Sequence, residues 1–225
     1  MSKKIVIVGA LGYLGSELCK LYSGESWFHK VVAIDSRFVS ERVSQLKDWN
    51  IEFHQGHILD EEFLKRNLDG ADIVHHLAGI TDVARTTKEI MKSKDEKINL
   101  VAIEGTKNVI SSMPENCKII FPSTHVIFEG LQSIKNDIVE AEYPKPILTY
   151  STGKFKNEEQ IKKSGKKYVI LRLGSVYGYS NDATRVDIMA NFFSKATSQN
   201  GVIKLFSGGH QIKSLVPLLD VARCF

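Results

Sequence analysis

The sequence predicts an α/β chain built on a doubly wound parallel sheet. Three observations carry that prediction. Apolar runs of strand length recur from Ile5-Val6-Ile7-Val8 to Tyr168-Val169-Ile170-Leu171-Arg172-Leu173, the first unbroken enough for a strand buried on both faces. Helical patterns separate the runs, so neighbouring strands lie parallel with helices as crossovers. The first run opens through a glycine-rich turn into a helix, and neither a repeat nor a linker interrupts the βα succession after it.

Ile5–Val8 is the first strand and leads into Gly9-Ala10-Leu11-Gly12-Tyr13-Leu14-Gly15. The helix that follows puts Leu14, Leu18, Leu21 and Tyr22 on one face. Strand, tight turn and helix N-terminus in succession suit a pyrophosphate. Glycines let backbone approach the phosphates, and free helix N–H groups attract negative charge. Gly9, Leu11, Gly12, Tyr13, Leu14 and Gly15 are the candidate contacts, although such glycines also make an ordinary βα turn.

Val31-Val32-Ala33-Ile34 is the second strand, closed by Asp35, which lies 20 positions beyond Gly15. An acidic residue there accepts the adenosine ribose hydroxyls and repels a 2′-phosphate, which favours NAD over NADP. A strand-end turn is the plainer account of Asp35, and Arg37 beside it could accommodate a phosphate. Ile51-Glu52-Phe53-His54-Gln55 alternates as a third strand, followed by Gly56-His57-Ile58-Leu59-Asp60 and a short helix. Asp72 to Gly79 covers the fourth strand and its exit. His75 and His76 are successive strand residues and point to opposite faces, so they cannot converge on one metal ion. No metal site is expected.

Asp95 to Met113 reads as a long helix, and Gly105 inside it implies close packing on the sheet, since it costs about 1 kcal/mol against alanine. Lys118-Ile119-Ile120-Phe121 is the fifth strand, ending at Pro122-Ser123-Thr124-His125. Parallel sheets carry their chemistry at this edge. Tyr150 and Lys154 lie four apart on the next predicted helix and face the same way. A phenol with a pKa near ~10 needs ~4 kcal/mol of help to act as a base at neutral pH. One cation at ~4 Å with an effective dielectric of ~20 supplies about that much, so Lys154 and an oxidised nicotinamide would make Tyr150 a proton acceptor.

At 225 residues and 43% hydrophobic content the chain is long enough to bury one sizeable α/β core. The net charge of +4 is modest, and Lys162, Lys163, Lys166 and Lys167 complement a helix C-terminus, which argues against a nucleic-acid surface. Cys19, Cys117 and Cys224 are odd in number and lack metal-ligand spacing, as free thiols in a reducing compartment would. No apolar stretch reaches the ~20 residues of a membrane span, and the start lacks a signal-peptide core. A cytoplasmic protein is expected, with no membrane partner.

The G-x-x-G-x-x-G spacing and the later motifs resemble the extended short-chain dehydrogenase/reductases of the NAD-dependent epimerase/dehydratase type. The resemblance covers nearly the whole chain and implies a Rossmann fold. Gly56-His57-Ile58-Leu59-Asp60 matches the family's Gly-Asp-Ile-x-Asp except at His57, leaving a backbone contact from Ile58 to the adenine end. His76-Leu77-Ala78-Gly79 matches the stretch whose small residues admit the cofactor, giving Leu77, Ala78 and Gly79 as contacts. Asn99 with Gly105-Thr106-Lys107-Asn108 matches Asn-…-Gly-Thr-x-Asn, which adds Asn99. By the same resemblance Tyr150 and Lys154 are catalytic and touch the cofactor, Thr124 is the catalytic hydroxyl, and Ser123 is the fallback.

Sugar-nucleotide 4,6-dehydratases of the family carry Asp-Glu after that threonine, whereas this chain has His125-Val126, and valine cannot move a proton. His125 is a candidate substrate contact. So are Ser175, in place of the family's Asn, and Lys213, in place of a diphosphate-binding Arg. Lysine keeps the charge without the bidentate fork. Asp220-Val221-Ala222 matches the opening of a further helix. The reading divides the chain into an NAD-binding domain over 1–175, which carries the catalytic residues, and a partial substrate lobe over 176–225.

The implied activity is epimerisation of a nucleotide sugar at C4 through a keto sugar, with tightly held NAD. The alternatives are an NAD(P)-dependent sugar or secondary-alcohol dehydrogenase and, behind it, a 4,6-dehydratase. A redox-sensing NAD(H)-binding protein is the non-enzyme alternative. The resemblance also implies a homodimer in which the long helix and the Tyr150 helix form a four-helix bundle.

Overall fold

The computed structural model describes residues 1–81, 88–133, 135, 137–180, 183–205, 207–210 and 212–225, with the side chains of 88–94 and 207 left aside. The elements run β1 (Lys4–Val8), α1 (Tyr13–Tyr22), β2 (Lys30–Asp35), α2 (Ser40–Asp48), β3 (Glu52–Gln55), α3 (Glu61–Leu68), β4 (Ile73–His76), α4 (Lys88–Ser112) and β5 (Lys118–Thr124). A 3₁₀ turn over His125–Phe128 follows, then α5 (Thr149–Lys163), β6 (Lys167–Leu173), β7 (Ser175–Tyr177), α6 (Met189–Ser198), β8 (Leu215–Pro217) and α7 (Leu218–Cys224). Six strands make one parallel sheet in the order β3-β2-β1-β4-β5-β6. The order reverses between β1 and β4, which opens a crevice at the carboxyl ends of those strands.

Alternation along β1 explains the two cores. Val6 and Val8 join a cluster with Leu64, Val101 and Phe121 on one face, and Ile7 joins Leu18, Cys19 and Leu46 on the other. Asp60 caps α3 by accepting from the Phe63 N–H at 2.9 Å, a bond that satisfies one of the orphan donors of the first turn.

Four local expectations need correcting. The buried face of α1 runs through Gly15, Leu18 and Cys19, while Leu21 is 36% exposed. Gly15 sets this rotation, because a Cβ there would stand 2.2 Å from the Gly9 carbonyl oxygen. β5 continues through Pro122 to Thr124. Its last rung with β4 is at Ile120 while pairing with β6 runs on, so Pro122 sits where one flank has no ladder to break. α4 begins at Lys88 and not near Asp95. Gly105 packs on the Ile58 side chain and not on the sheet: a Cβ would fall 2.3 Å from the Ile58 Cδ1. α2 and α6 carry no signal singled out in the sequence.

β7 pairs with β8 in a small parallel sheet. α7 then returns to α1, and Phe225 packs against the core beneath it, its ring centroid 6.1 Å from that of His75.

Candidate active site

The glycines of the turn meet the ends of β2 and β4 through backbone contacts. Gly9 has φ +93°, and a Cβ on it would lie 2.6 Å from the Ala78 nitrogen. Its N–H donates to the Ile34 carbonyl at 2.7 Å, and the Gly12 N–H donates to the Gly9 carbonyl at 3.1 Å. No side chain caps α1, so its N-terminal N–H groups face the crevice without a carboxylate or hydroxyl in front of them. A cradle shaped by absent side chains suits a phosphate.

Asp35 is buried at the end of β2, where its Oδ2 accepts from the Leu11 N–H at 2.9 Å. Its Oδ1 accepts from the Arg37 N–H at 3.0 Å and from the Arg37 Nε at 3.2 Å. Arg42, unmarked in the sequence, donates to the Leu11 carbonyl. The carboxylate is thus fixed to the turn it serves and partly neutralised by Arg37.

A cavity of about 960 Å³ runs from this turn to the ends of β5 and α5. Every site residue singled out from the sequence lines it except Asn99, which is exposed on α4. Lys97 and Val101 take the inward face there. They are four apart on the helix, and a residue midway between them points roughly the opposite way. His57 faces the cavity with its Nδ1 accepting from the Leu59 N–H at 3.1 Å.

At the other end, Thr124 hydrogen-bonds the Tyr150 hydroxyl. Thr124 Oγ1 also accepts from the Val126 N–H at 3.2 Å. The Lys154 ammonium donates to the Pro122 carbonyl at 2.7 Å and lies 4.4 Å from the Phe121 ring centre. Ser123 turns away, its hydroxyl donating to Glu158 Oε1 at 2.5 Å. Alternation along a strand gives Ser123 and Thr124 opposite faces.

Burial dominates the electrostatics at this end. Burial pushes the Tyr150 phenol up, and the influences that pull it down are Arg185 and the Thr124 hydrogen bond. Burial lowers Lys154 to about 8, against the raising effect of Glu158. In this state the Lys154 amine is directed at the Pro122 carbonyl, and Arg185 is the cation acting on Tyr150.

Arg185 is the functional candidate the sequence did not flag, because it stands in an irregular segment outside any motif. It lines the cavity and pairs with Asp187 through Nη2 at 2.6 Å. Asn191 holds that segment, its Nδ2 donating to the Arg185 carbonyl at 2.9 Å and to the Tyr13 hydroxyl at 3.2 Å. Tyr13 in turn donates to the Gly178 carbonyl at 2.5 Å, so the glycine turn is tied to the C-terminal lobe. His125 Nδ1 lies 2.9 Å from the Leu173 carbonyl, which can only accept, so Nδ1 carries a proton. His75 and His76 are both buried on β4 and part to opposite faces, bonding Tyr22 and Thr106 respectively at 2.9 Å. Among the described residues no helix is long and apolar enough to cross a membrane.

Comparison with known proteins agrees with this fold. A UDP-glucuronic acid 4-epimerase from Bacillus cereus, solved with UDP-glucuronic acid and NAD, superposes with a TM-score of 0.82 at 24% identity over 98% of this chain and 71% of its own. The dTDP-D-glucose 4,6-dehydratase of Dictyostelium discoideum is 27% identical over 197 residues, covering 78% of this chain and 44% of the relative. The UDP-glucose 4-epimerase of Mycoplasma genitalium is 26% identical over 183 residues, covering 78% and 53%. The chain thus spans about half the length of these curated relatives. The model of the NAD dependent epimerase/dehydratase family matches residues 5–225, almost end to end, and the chain belongs to that family.

Proposed function

We propose that the chain holds NAD across the glycine turn and Asp35 and serves an epimerase that inverts a nucleotide sugar at C4. The observation that carries the reading is one cavity with a phosphate cradle at one end and Thr124, Tyr150 and Lys154 at the other. The cradle fits the cofactor because a side chain at Gly9 or Gly15 would overlap backbone, leaving α1 free to meet a pyrophosphate. Ile58, Leu77, Ala78 and Gly79 would wall the adenosine and the nicotinamide side. NAD bound there supplies a reversible hydride acceptor.

The chain's own residues do the rest. Thr124 orients the reacting hydroxyl, and Tyr150 takes its proton and later returns it. Arg185 and the cationic Lys154 hold the field around the phenolate. His125, Ser175 and Lys213 would meet the sugar and its diphosphate. Because oxidation and reduction alternate on one sugar, no net NADH accumulates. The relatives' printed activities, 4-epimerase and 4,6-dehydratase, support this class of chemistry. Val126 beside His125 favours the epimerase, since valine has no proton to exchange.

The test incubates the protein and NAD with UDP-glucose or UDP-glucuronic acid and reads the sugar by proton NMR and NADH by fluorescence. C4-inverted product without NADH is expected. Stoichiometric NADH indicates a simple dehydrogenase, and NAD binding with no turnover of any nucleotide sugar indicates a sensor. The same reading includes a homodimer across α4 and α5, where Leu100 stands half exposed. A monomer by light scattering would remove that part.

A further inference from the structure

Three successive residues of β5 are each held by one of three residues spaced four apart on α5. The Pro122 carbonyl takes the Lys154 ammonium at 2.7 Å, the Ser123 hydroxyl donates to Glu158 at 2.5 Å, and Thr124 bonds Tyr150. Tyr150, Lys154 and Glu158 share a helix face. The first two belong to the reaction proposed above, whereas Glu158 lies outside the cavity with a fully buried side chain.

Its surroundings are costly to assemble. Arg172 of β6 forks onto both carboxylate oxygens, Nε to Oε1 at 3.0 Å and Nη2 to Oε2 at 2.8 Å. Lys162 reaches Oε2 at 3.4 Å. Arg172 also donates to the Glu140 carbonyl at 2.9 Å and stacks 5.4 Å from the Phe128 ring centre, which fastens the segment between β5 and α5. A buried ion pair is a poor source of stability compared with apolar packing, so its geometry points to a use beyond holding the fold.

We propose that Glu158 is a positioning residue: through Ser123 and Arg172 it fixes how α5 lies on the end of β5, and it keeps a negative charge one turn below Lys154. The inference rests on the roles proposed for Tyr150 and Lys154. The charged and titratable groups around Lys154 are Tyr150 and Glu158 on its own helix, His76 of β4 and Arg172 of β6. Lys97 of α4 and Arg185 line the same cavity. Among the groups acting on Lys154, Glu158 is the one that raises it.

The experiment compares the parent chain with Glu158→Gln and Ser123→Ala. Glu158→Gln keeps the shape and loses the charge. NAD affinity, read by calorimetry, stays within about twofold, because Glu158 lies outside the cradle. The Lys154 midpoint, followed by carbon-13 NMR at Cε and assigned with Lys154→Arg, falls by about one unit from its parent value. Turnover of UDP-glucose falls about tenfold in kcat with KM unchanged.

Ser123→Ala retains both buried charges and guards against a chain that does not fold. Loosening β5 from α5 weakens the Thr124 bond and raises the Tyr150 midpoint by about half a unit, read by ultraviolet difference against Tyr150→Phe. A Lys154 midpoint that stays put in folded Glu158→Gln overturns the proposal. So does a Tyr150 midpoint that stays put in Ser123→Ala where Glu158→Gln does not fold. Neither titration needs a substrate, so a parent chain inert to UDP-glucose counts against the proposed function alone.

Discussion

The two ends of the cavity are built by opposite means. At the glycine turn the surface is backbone, shaped by side chains that are missing: Gly9, Gly12 and Gly15 let N–H groups stand bare at the start of α1. At the β5–α5 end the surface is side chains, each held by a partner behind it, as Lys154 is by Pro122 and Thr124 by Val126. A backbone site offers fixed dipoles that no pH change removes. A side-chain site offers groups that exchange protons, and burial sets where they do so. The first end suits binding and the second suits chemistry.

Substitutions that act on one end and spare the other test that division. The largest effect is expected from Tyr150→Phe, which keeps the ring and removes the proton carrier. Turnover falls by about a thousandfold, in the range usual for a general base, while NAD affinity by calorimetry stays near that of the parent. Equal loss of both would join the two ends into one unit.

Acid tests the layer beneath both ends. Burial lowers His75 to about 4 and His76 to about 3, with Lys154 adding to the latter. Both folded values lie below the ~6.5 of an unfolded histidine. The folded rings are neutral while the unfolded chain takes up protons, so stability is full above pH ~6.5 and falls with pH, down to about 4 for His75 and about 3 for His76. His75 alone accounts for about 3 kcal/mol across its window. Urea unfolding at several pH values measures this, and a stability flat across the window would show that the ring is not buried neutral.

Gly15→Ala comes next. The added Cβ would meet the Gly9 carbonyl at 2.2 Å, backbone that has no free end to move. Overpacking of this kind costs about 2 kcal/mol, or roughly thirtyfold in NAD affinity if the cradle gives way. Binding unchanged by Gly15→Ala would mean that the turn is only a turn.

The contrast between the ends also decides what could be read from the sequence. Apolar runs and the glycine turn are local patterns, and β1, β2, β4 and β6 lie where those runs put them. Tyr150 and Lys154 were legible because one helix spaces them. Asn99 stands outside the cavity because a motif match does not fix helix rotation: where Gly105 packs on Ile58, α4 turns Lys97 and Val101 inward. Arg185 and Glu158 were invisible for another reason. Each matters through groups far along the chain, Arg185 through Tyr150 and Glu158 through Ser123 and Arg172, and no spacing rule connects such residues.

The smallest effect is expected at Arg37, where the two styles of construction meet. Asp35 is anchored by the Leu11 N–H, so the backbone alone keeps it in place. Arg37 adds a guanidinium at 3.2 Å, but its side chain is 57% exposed. Exposed pairs contribute about 0.2–1 kcal/mol. Arg37→Ala therefore leaves NAD affinity within about twofold and weakens NADP by up to about fivefold, since a barer carboxylate repels a 2′-phosphate more strongly. Calorimetric titration with each cofactor measures both. If Arg37→Ala instead strengthens NADP, the guanidinium was not facing that phosphate, and Asp35 discriminates by shape and not by charge.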